Sequence, residues 1–418
     1  MSRQGPIQAA APAGRGGRLR RFGARAATFG ALSCCALGAV GLLASDRFLM
    51  TQYISWAPGA VLWPAALVLA MAGFALADRP RLGWRGRLPR AMVCLAAVGA
   101  VAALAGIALE WRVPAVVNEL SSRPSTTLRV VNWNMTSHGA GIWEKPFAAI
   151  DGFENADLLL LTTTQPLKRL RKSCLSLGEG FDCRRVGMFS VASRFPIMNW
   201  ELRPLLDAGQ ASALGLDRRP PAWAVRAYNW LARDTGAAVR DFEERDLGAV
   251  GFLRVDTTPV LGRPLVVWFI DLPSNPLVSK LRLATVARAR LARLSREVGA
   301  ATPDSDGFPG WPDLVIGDMN IPRGSASLDV LGAGLRDASA AAGPGRLASW
   351  PRAFPLWHLD QALASTGVEV ASYALVDAGE SDHKAQVLDI SIDPAVSGRS
   401  GTHIKETAEL PLATETQP

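Results

Sequence analysis

LVIGDMN, residues 314–320, is the stretch on which the fold of this chain turns. Leu314–Gly317 is an unbroken apolar run closed by glycine, the pattern of a strand covered on both faces. Asp318 and Asn320 follow at its end. In α/β sheets, polar side chains just past the strand ends are where sites are built. Two other segments repeat the arrangement far away in sequence. Asn134 closes RVVNWN at 129–134, and Asp382 and His383 stand in GESDHK, just before the final strand expected at Val387–Ile392. Singly, each cluster reads as an ordinary turn or cap.

The segments between them alternate in type. Leu128–Trp133, Asp157–Thr163, Val186–Ala192, Leu265–Leu272, Leu359–Ala364 and Val387–Ile392 read as strands, and Ile142–Phe153 as a helix. Within 277–298, Leu277, Leu281, Ala284, Ala287, Leu291, Leu294 and Val298 recur at helical spacing, while Arg288, Arg290, Arg293 and Arg296 cover the other faces. Mixed elements over residues 127–393 predict one α/β sandwich. Residues 201–248 interrupt it, with an amphipathic helix expected at Ala222–Arg233. The stretch reads as a surface excursion more readily than as a lid, because surface insertions cost little. Residues 394–418 read as a disordered polar tail.

The front of the chain is different. The 418 residues carry a net charge of +8. Residues 1–112 hold 13 Arg, no Lys and 3 acids, a net +10, so the remainder carries −2. A near-neutral main domain argues against a cleft for long nucleic acid, which needs a basic surface. Uncharged runs at 26–44, 54–77 and 91–109 are each long enough to cross a bilayer, so three transmembrane helices are expected within 26–112. Residues 1–25 form a basic N-terminus with six arginines, and five more stand between the second and third runs. By the positive-inside rule both segments are cytoplasmic, and the domain after the 113–126 linker lies outside. Two further spans after the first favour a retained helix over a cleaved signal peptide. The lipid bilayer is therefore an expected partner.

The ordered set of motifs resembles the endonuclease/exonuclease/phosphatase superfamily, which includes apurinic endonucleases, deoxyribonuclease I, sphingomyelinases and inositol phosphatases. The motifs are VVNWNM with Asn134, ADLLLLTTTQP from Ala156, VASRFPI at 191–197, VVWFIDLPSNP from Val266, GDMN at 317–320, SWPRAFPLWHLDQAL from Ser349 and Ser-Asp-His at 381–383. The Trp-Pro and the preceding apolar runs look like the bacterial membrane-anchored branch. The resemblance implies a two-layered β-sandwich flanked by helices. It also implies hydrolysis of a phosphodiester or phosphomonoester with Mg²⁺ or Mn²⁺. Asp318 would orient or deprotonate the attacking water. Asn134 and Asn320 would hold phosphate, nucleophile or metal. Asp382 would orient His383 and help bind metal, and His383 would contact the phosphate. Asp360 stands in the Leu-Asp position of its motif.

Two positions depart from the pattern. The family's metal-binding Glu falls on Thr163, whose neutral hydroxyl is a poor ligand for a hard cation. The family's central-strand His falls on Asp271, which would repel phosphate or, alternatively, supply the missing carboxylate ligand. Gln361 replaces a frequent His. Two functions follow: a phosphate-ester hydrolase with an altered metal site, or a silent relative that binds a ligand or partner at the membrane. His138, His358 and His403 read as structural or tail residues. Cys174 and Cys183, the only cysteines after the apolar runs, are expected to form a disulfide in an oxidising compartment.

Overall fold

The computed structural model describes residues 15–76, 87–111, 127–135, 146–162, 167–216, 222, 226, 247–300, 312–342, 347–379 and 381–392. Four helices come first: α1 (Arg15–Ala44), α2 (Leu49–Ser55), α3 (Gly59–Leu76) and α4 (Arg87–Glu110). Two helical stretches, Gly17–Ala44 and Gly59–Leu76, are long and apolar enough to cross a membrane. The third expected span is shorter: within α4 the apolar stretch is Val93–Ala108.

Two six-stranded sheets follow. The first has the order β11-β12-β1-β2-β4-β3 and the second β5-β6-β7-β8-β10-β9. The strands of the first are β1 (Leu128–Asn134), β2 (Leu158–Thr162), β3 (Asp182–Val186), β4 (Phe189–Ser193), β11 (Val368–Val376) and β12 (Ala385–Ile392). The second contains β5 (Ile197–Pro204), β6 (Ala249–Val255), β7 (Leu265–Asp271), β8 (Leu314–Asp318), β9 (Arg336–Asp337) and β10 (Asp360–Ala364). Among the described residues the domain's helices include α5 (Leu167–Cys174), α6 (Ala208–Ala213), α7 (Thr258–Leu261), α8 (Lys280–Ala300) and α9 (Ala326–Leu331).

The central strands have no polar alternation because both of their faces are covered. In β8, Leu314 and Ile316 enter the core between the sheets, while Val315 packs outward with the helix residues Ala284, Ala287 and Leu291. β2 divides likewise: Leu158 and Leu160 point inward, and Leu159 and Leu161 pack with Phe147, Phe153 and Leu170. Phe189 of one sheet stacks on Phe269 of the other at 4.2 Å. Each such aromatic burial contributes on the order of 2–3 kcal/mol.

Several expectations need correction. The helix at Ile142–Phe153 is, among the described residues, a single 3-10 turn at Phe147–Ala149, bracketed by Pro146 and the left-handed Gly152. Val186–Ala192 is not one strand. Gly187, at φ 57°, turns the chain between β3 and β4. Residues 201–204 belong to β5, and Pro204 pairs with Ala249 of β6, so the interruption is the loop of a hairpin. The helix expected at Ala222–Arg233 lies outside the fully described residues, as do Thr163, His138, His403, the 113–126 linker and the 394–418 tail. Cys174 and Cys183 stand as thiols, both buried and packed in the same apolar cluster, where a bridge between them is neither formed nor excluded.

The connection between α1 and α3 is docked on the sandwich. Asp46 accepts from the Ser327 amide at 3.1 Å and from the Ser327 hydroxyl, and Ser45 Oγ accepts from the Ala326 amide at 2.9 Å. These bonds satisfy amides at the first turn of α9 that have no partner inside the helix. Buried Gln52 donates to the carbonyls of Pro276 and Val278 and accepts from the Lys280 amide. Lys280 is fully buried. Its ammonium donates to the Pro273 carbonyl at 2.8 Å and lies 5.6 Å from the Trp56 ring centroid, the compensation that a buried cation requires.

Candidate active site

The five polar residues singled out at strand ends, with Asp271 and Asp360, occupy one rim of the sandwich. β7 ends at Asp271 beside the end of β8 at Asp318, and Asp318 pairs with Asp360 at the start of β10. Asn134, at the end of β1, reaches across from the other sheet and donates to Asp318 Oδ2 at 2.9 Å. Asn320, at φ 47°, folds back so that its amide donates to Asp318 Oδ1 at 2.9 Å. Its side chain donates to the Leu272 carbonyl at 2.7 Å. Asparagine is among the few side chains that tolerate this backbone region. Both oxygens of Asp318 are therefore fixed.

His383 arrives from the segment before β12. Its Nδ1 is 2.8 Å from Asp360 Oδ2, and its Nε2 is 3.7 Å from Asp318 Oδ2 and 3.9 Å from Asp382 Oδ1. Ser381 donates to the Asn134 carbonyl and accepts from the His383 amide, which fixes the segment before β12 to the end of β1 in the same sheet. Trp350 Nε1 donates to Asp382 Oδ2 at 3.1 Å, and Ser349 Oγ accepts from the Leu359 and Asp360 amides. Ser349 and Trp350 have no role legible in the sequence beyond the Trp-Pro motif.

Asn134, Asp318, Asp360, Asp382 and His383 are all buried. Burial lifts the Asp318 carboxyl to about 6. The nearby Asp360 adds to this, and His383 and the bonds from Asn320 and Asn134 oppose it. Burial would lower His383, but the carboxylates of Asp360, Asp382 and Asp318 overcome it and hold the imidazolium up to about 10. The stability that His383 contributes is thus fully present below its ordinary value of about 6.5 and is lost as pH rises through 10. For Asp318, also raised, the contribution is present below about 3.9 and is lost as pH rises through 6.

Asp318, Asp360 and His383 place ligand atoms within 4.8 Å of one another. Within this group His383 Nδ1 is held by Asp360 Oδ2, which leaves Nε2 facing Asp318 and Asp382. The buried Oδ1 atoms of Asp360 and Asp382 have no hydrogen-bond partner among the described residues. Carboxylate and amide oxygens of this kind fit a hard divalent cation. Asp271 is half-buried on the neighbouring strand and lies outside that three-residue group. Gln361 faces away from the chemistry and donates to the carbonyls of His358 and Ile321. His358 is structural, bonded to Tyr373 at 2.8 Å.

Two stacked sheets that converge an Asp–His pair, a second Asp and two Asn at one rim define a class of fold and site. The chain belongs to the endonuclease/exonuclease/phosphatase family, whose sequence model matches residues 105–383. Similar solved structures include a family member from Bacteroides thetaiotaomicron, 13% identical, covering 65% of this chain and 100% of that one, with a TM-score of 0.44. The mannosyl-6-phosphatase Bt3783 of the same species is 11% identical over 63% of this chain and 99% of its own, with a TM-score of 0.42. Truncated Caenorhabditis elegans TDP2 is 14% identical over 63% and 97%, with a TM-score of 0.40. No curated protein matches the chain.

Proposed function

We propose that this protein is a divalent-cation-dependent phosphoesterase held at the membrane with its sandwich outside the cytoplasm. The observation that carries the chemistry is the buried Asp360–His383 pair facing Asp318. Asp318, fixed by Asn134 and Asn320, orients a water molecule and takes its proton as the new P–O bond forms. His383 donates a hydrogen bond to a phosphate oxygen as the bond to the leaving oxygen breaks. The leaving oxygen regains a proton from solvent. Asp382 and Asn134 would hold Mg²⁺ or Mn²⁺, which supplies charge neutralisation on the phosphate oxygens when bound.

Manganese titration of the full chain, followed by electron paramagnetic resonance, tests the cation. Asp382→Asn is expected to weaken binding at least about tenfold, and Thr163→Glu to strengthen it. Absence of binding, or indifference to both changes, would favour the silent relative over the hydrolase.

The topology draws support from two independent features. Arginines concentrate in residues 1–25 and again in residues 78–90. The opposite connection, Ser45–Pro58, is the one docked on the sandwich, which supports placing the two on one side of the membrane. In an oxidising compartment the adjacent thiols of Cys174 and Cys183 are expected to close into a disulfide, contributing about 2–3 kcal/mol. Thiol labelling of denatured, unreduced protein from membranes should then spare both. Full labelling of the pair would count against the outside location.

A further inference from the structure

The docked connection and the candidate active site share one rim of the sandwich. Gln52 bonds the segment just after β7, Ser45 and Asp46 bond the segment that follows Asn320, and the Trp56 carbonyl accepts from Trp357 Nε1 at 2.8 Å. Trp357 lies 5.4 Å from Trp350, which holds Asp382. Only a few residues separate each docking contact from Asp271, Asn320 or Asp360.

The outward side of this rim is apolar. α2 turns Gln52 inward to the domain, while Met50 is 75% exposed and Phe48 and Tyr53 are exposed beside it. Phe354, in the loop between Trp350 and Trp357, is 65% exposed. Between the two surfaces lies a cavity of about 630 Å³, lined by Pro58 and Gly59 at the start of α3 and by Pro322, Leu328, Leu356 and Trp357 of the domain. None of the Asp–His group lines the cavity; its walls come nearest in sequence at Pro322, two residues from Asn320, and at His358, two residues from Asp360.

We infer that this rim rests on the surface of the bilayer that α1 and α3 enter, and that the substrate is a phosphate ester carried by a membrane-embedded lipid. Chain continuity selects the occupant. α2 is joined directly to two helices of membrane-spanning length, so its apolar side meets the interface of that same membrane. A lipid in that leaflet would present its phosphate at the level of the strand ends, which the docking contacts hold beside the membrane-entering helices. This inference rests on the phosphoesterase reading.

The test uses the full chain in vesicles of phosphatidylethanolamine and phosphatidylglycerol, with Mn²⁺ and two probes that share one reacting centre. Methyl 4-nitrophenyl phosphate is free in solution, and hexadecyl 4-nitrophenyl phosphate is anchored in the bilayer. The anchored probe is expected to react at least about tenfold faster at equal total amount, because confinement at the membrane raises its effective concentration. Met50→Asp with Phe354→Asp, both at exposed positions, should abolish that advantage and leave the soluble probe within about twofold of wild type. Equal rates on the two probes in the wild type, or an advantage that survives the double change, would overturn the membrane-substrate inference alone. No hydrolysis of either probe would instead sink the phosphoesterase reading, and this inference with it.

Discussion

His383→Gln is expected to lower kcat for a phosphodiester about a thousandfold with KM little changed, the scale of losing a positioned acid or charge-stabilising group. Glutamine keeps a donor toward Asp360, so the loss reports the imidazolium and not a collapsed pocket. The wild-type pH profile carries the same signature. Activity should rise as Asp318 ionises near 6 and fall as His383 loses its proton near 10. In His383→Gln the alkaline limb should vanish while the acid limb stays. A variant within a few-fold of wild type would remove His383 from the chemistry, and an unchanged alkaline limb would assign that limb to another group.

Gly317→Ala should be the most damaging single-methyl change in the domain. At φ 148° the backbone sits where L side chains rarely go, and an added Cβ would lie 1.8 Å from the Ile270 carbonyl oxygen. That oxygen belongs to the adjoining buried strand β7, which has no room to retreat. Strain and overlap together should cost about 4 kcal/mol or more, at the severe end for point changes. Denaturant unfolding of the purified chain measures it, and a loss below about 1 kcal/mol would mean that β7 and β8 can separate locally.

The strands legible in the sequence are those enclosed on both faces, such as Leu158–Leu161 and Leu314–Ile316, because nothing but apolar residues survives there. β3, β5, β9 and β11 escape such a reading because they lie at sheet edges or beside them, where exposure admits Arg184, Glu201 and Glu369. β6 is central, but Gly251 and the long connection before it conceal the run. Gly251 is required because a Cβ there would meet the Trp200 ring at 2.7 Å. Asp318, Asn320, Asp382, His383 and Asn134 stand out because a polar residue at the end of a buried run is itself a pattern. Ser349 and Trp350, and the pairing of Asp46 and Gln52 with a domain more than 200 residues away, leave no such trace. Each is a polar residue in an ordinary setting until folding brings its partner.

The β5–β6 hairpin has a consequence for how such a protein diversifies. Ala249 pairs with Asp271, so the long connection between these strands leaves and re-enters the sheet at the rim that holds Asp318. Its two ends are clamped by the pairs Leu205–Gly248 and Leu206–Leu247. Anything strung between those clamps can lengthen, shorten or be exchanged without slipping a single strand register. The strand registers that hold the site are thus set independently of the length of chain between those clamps.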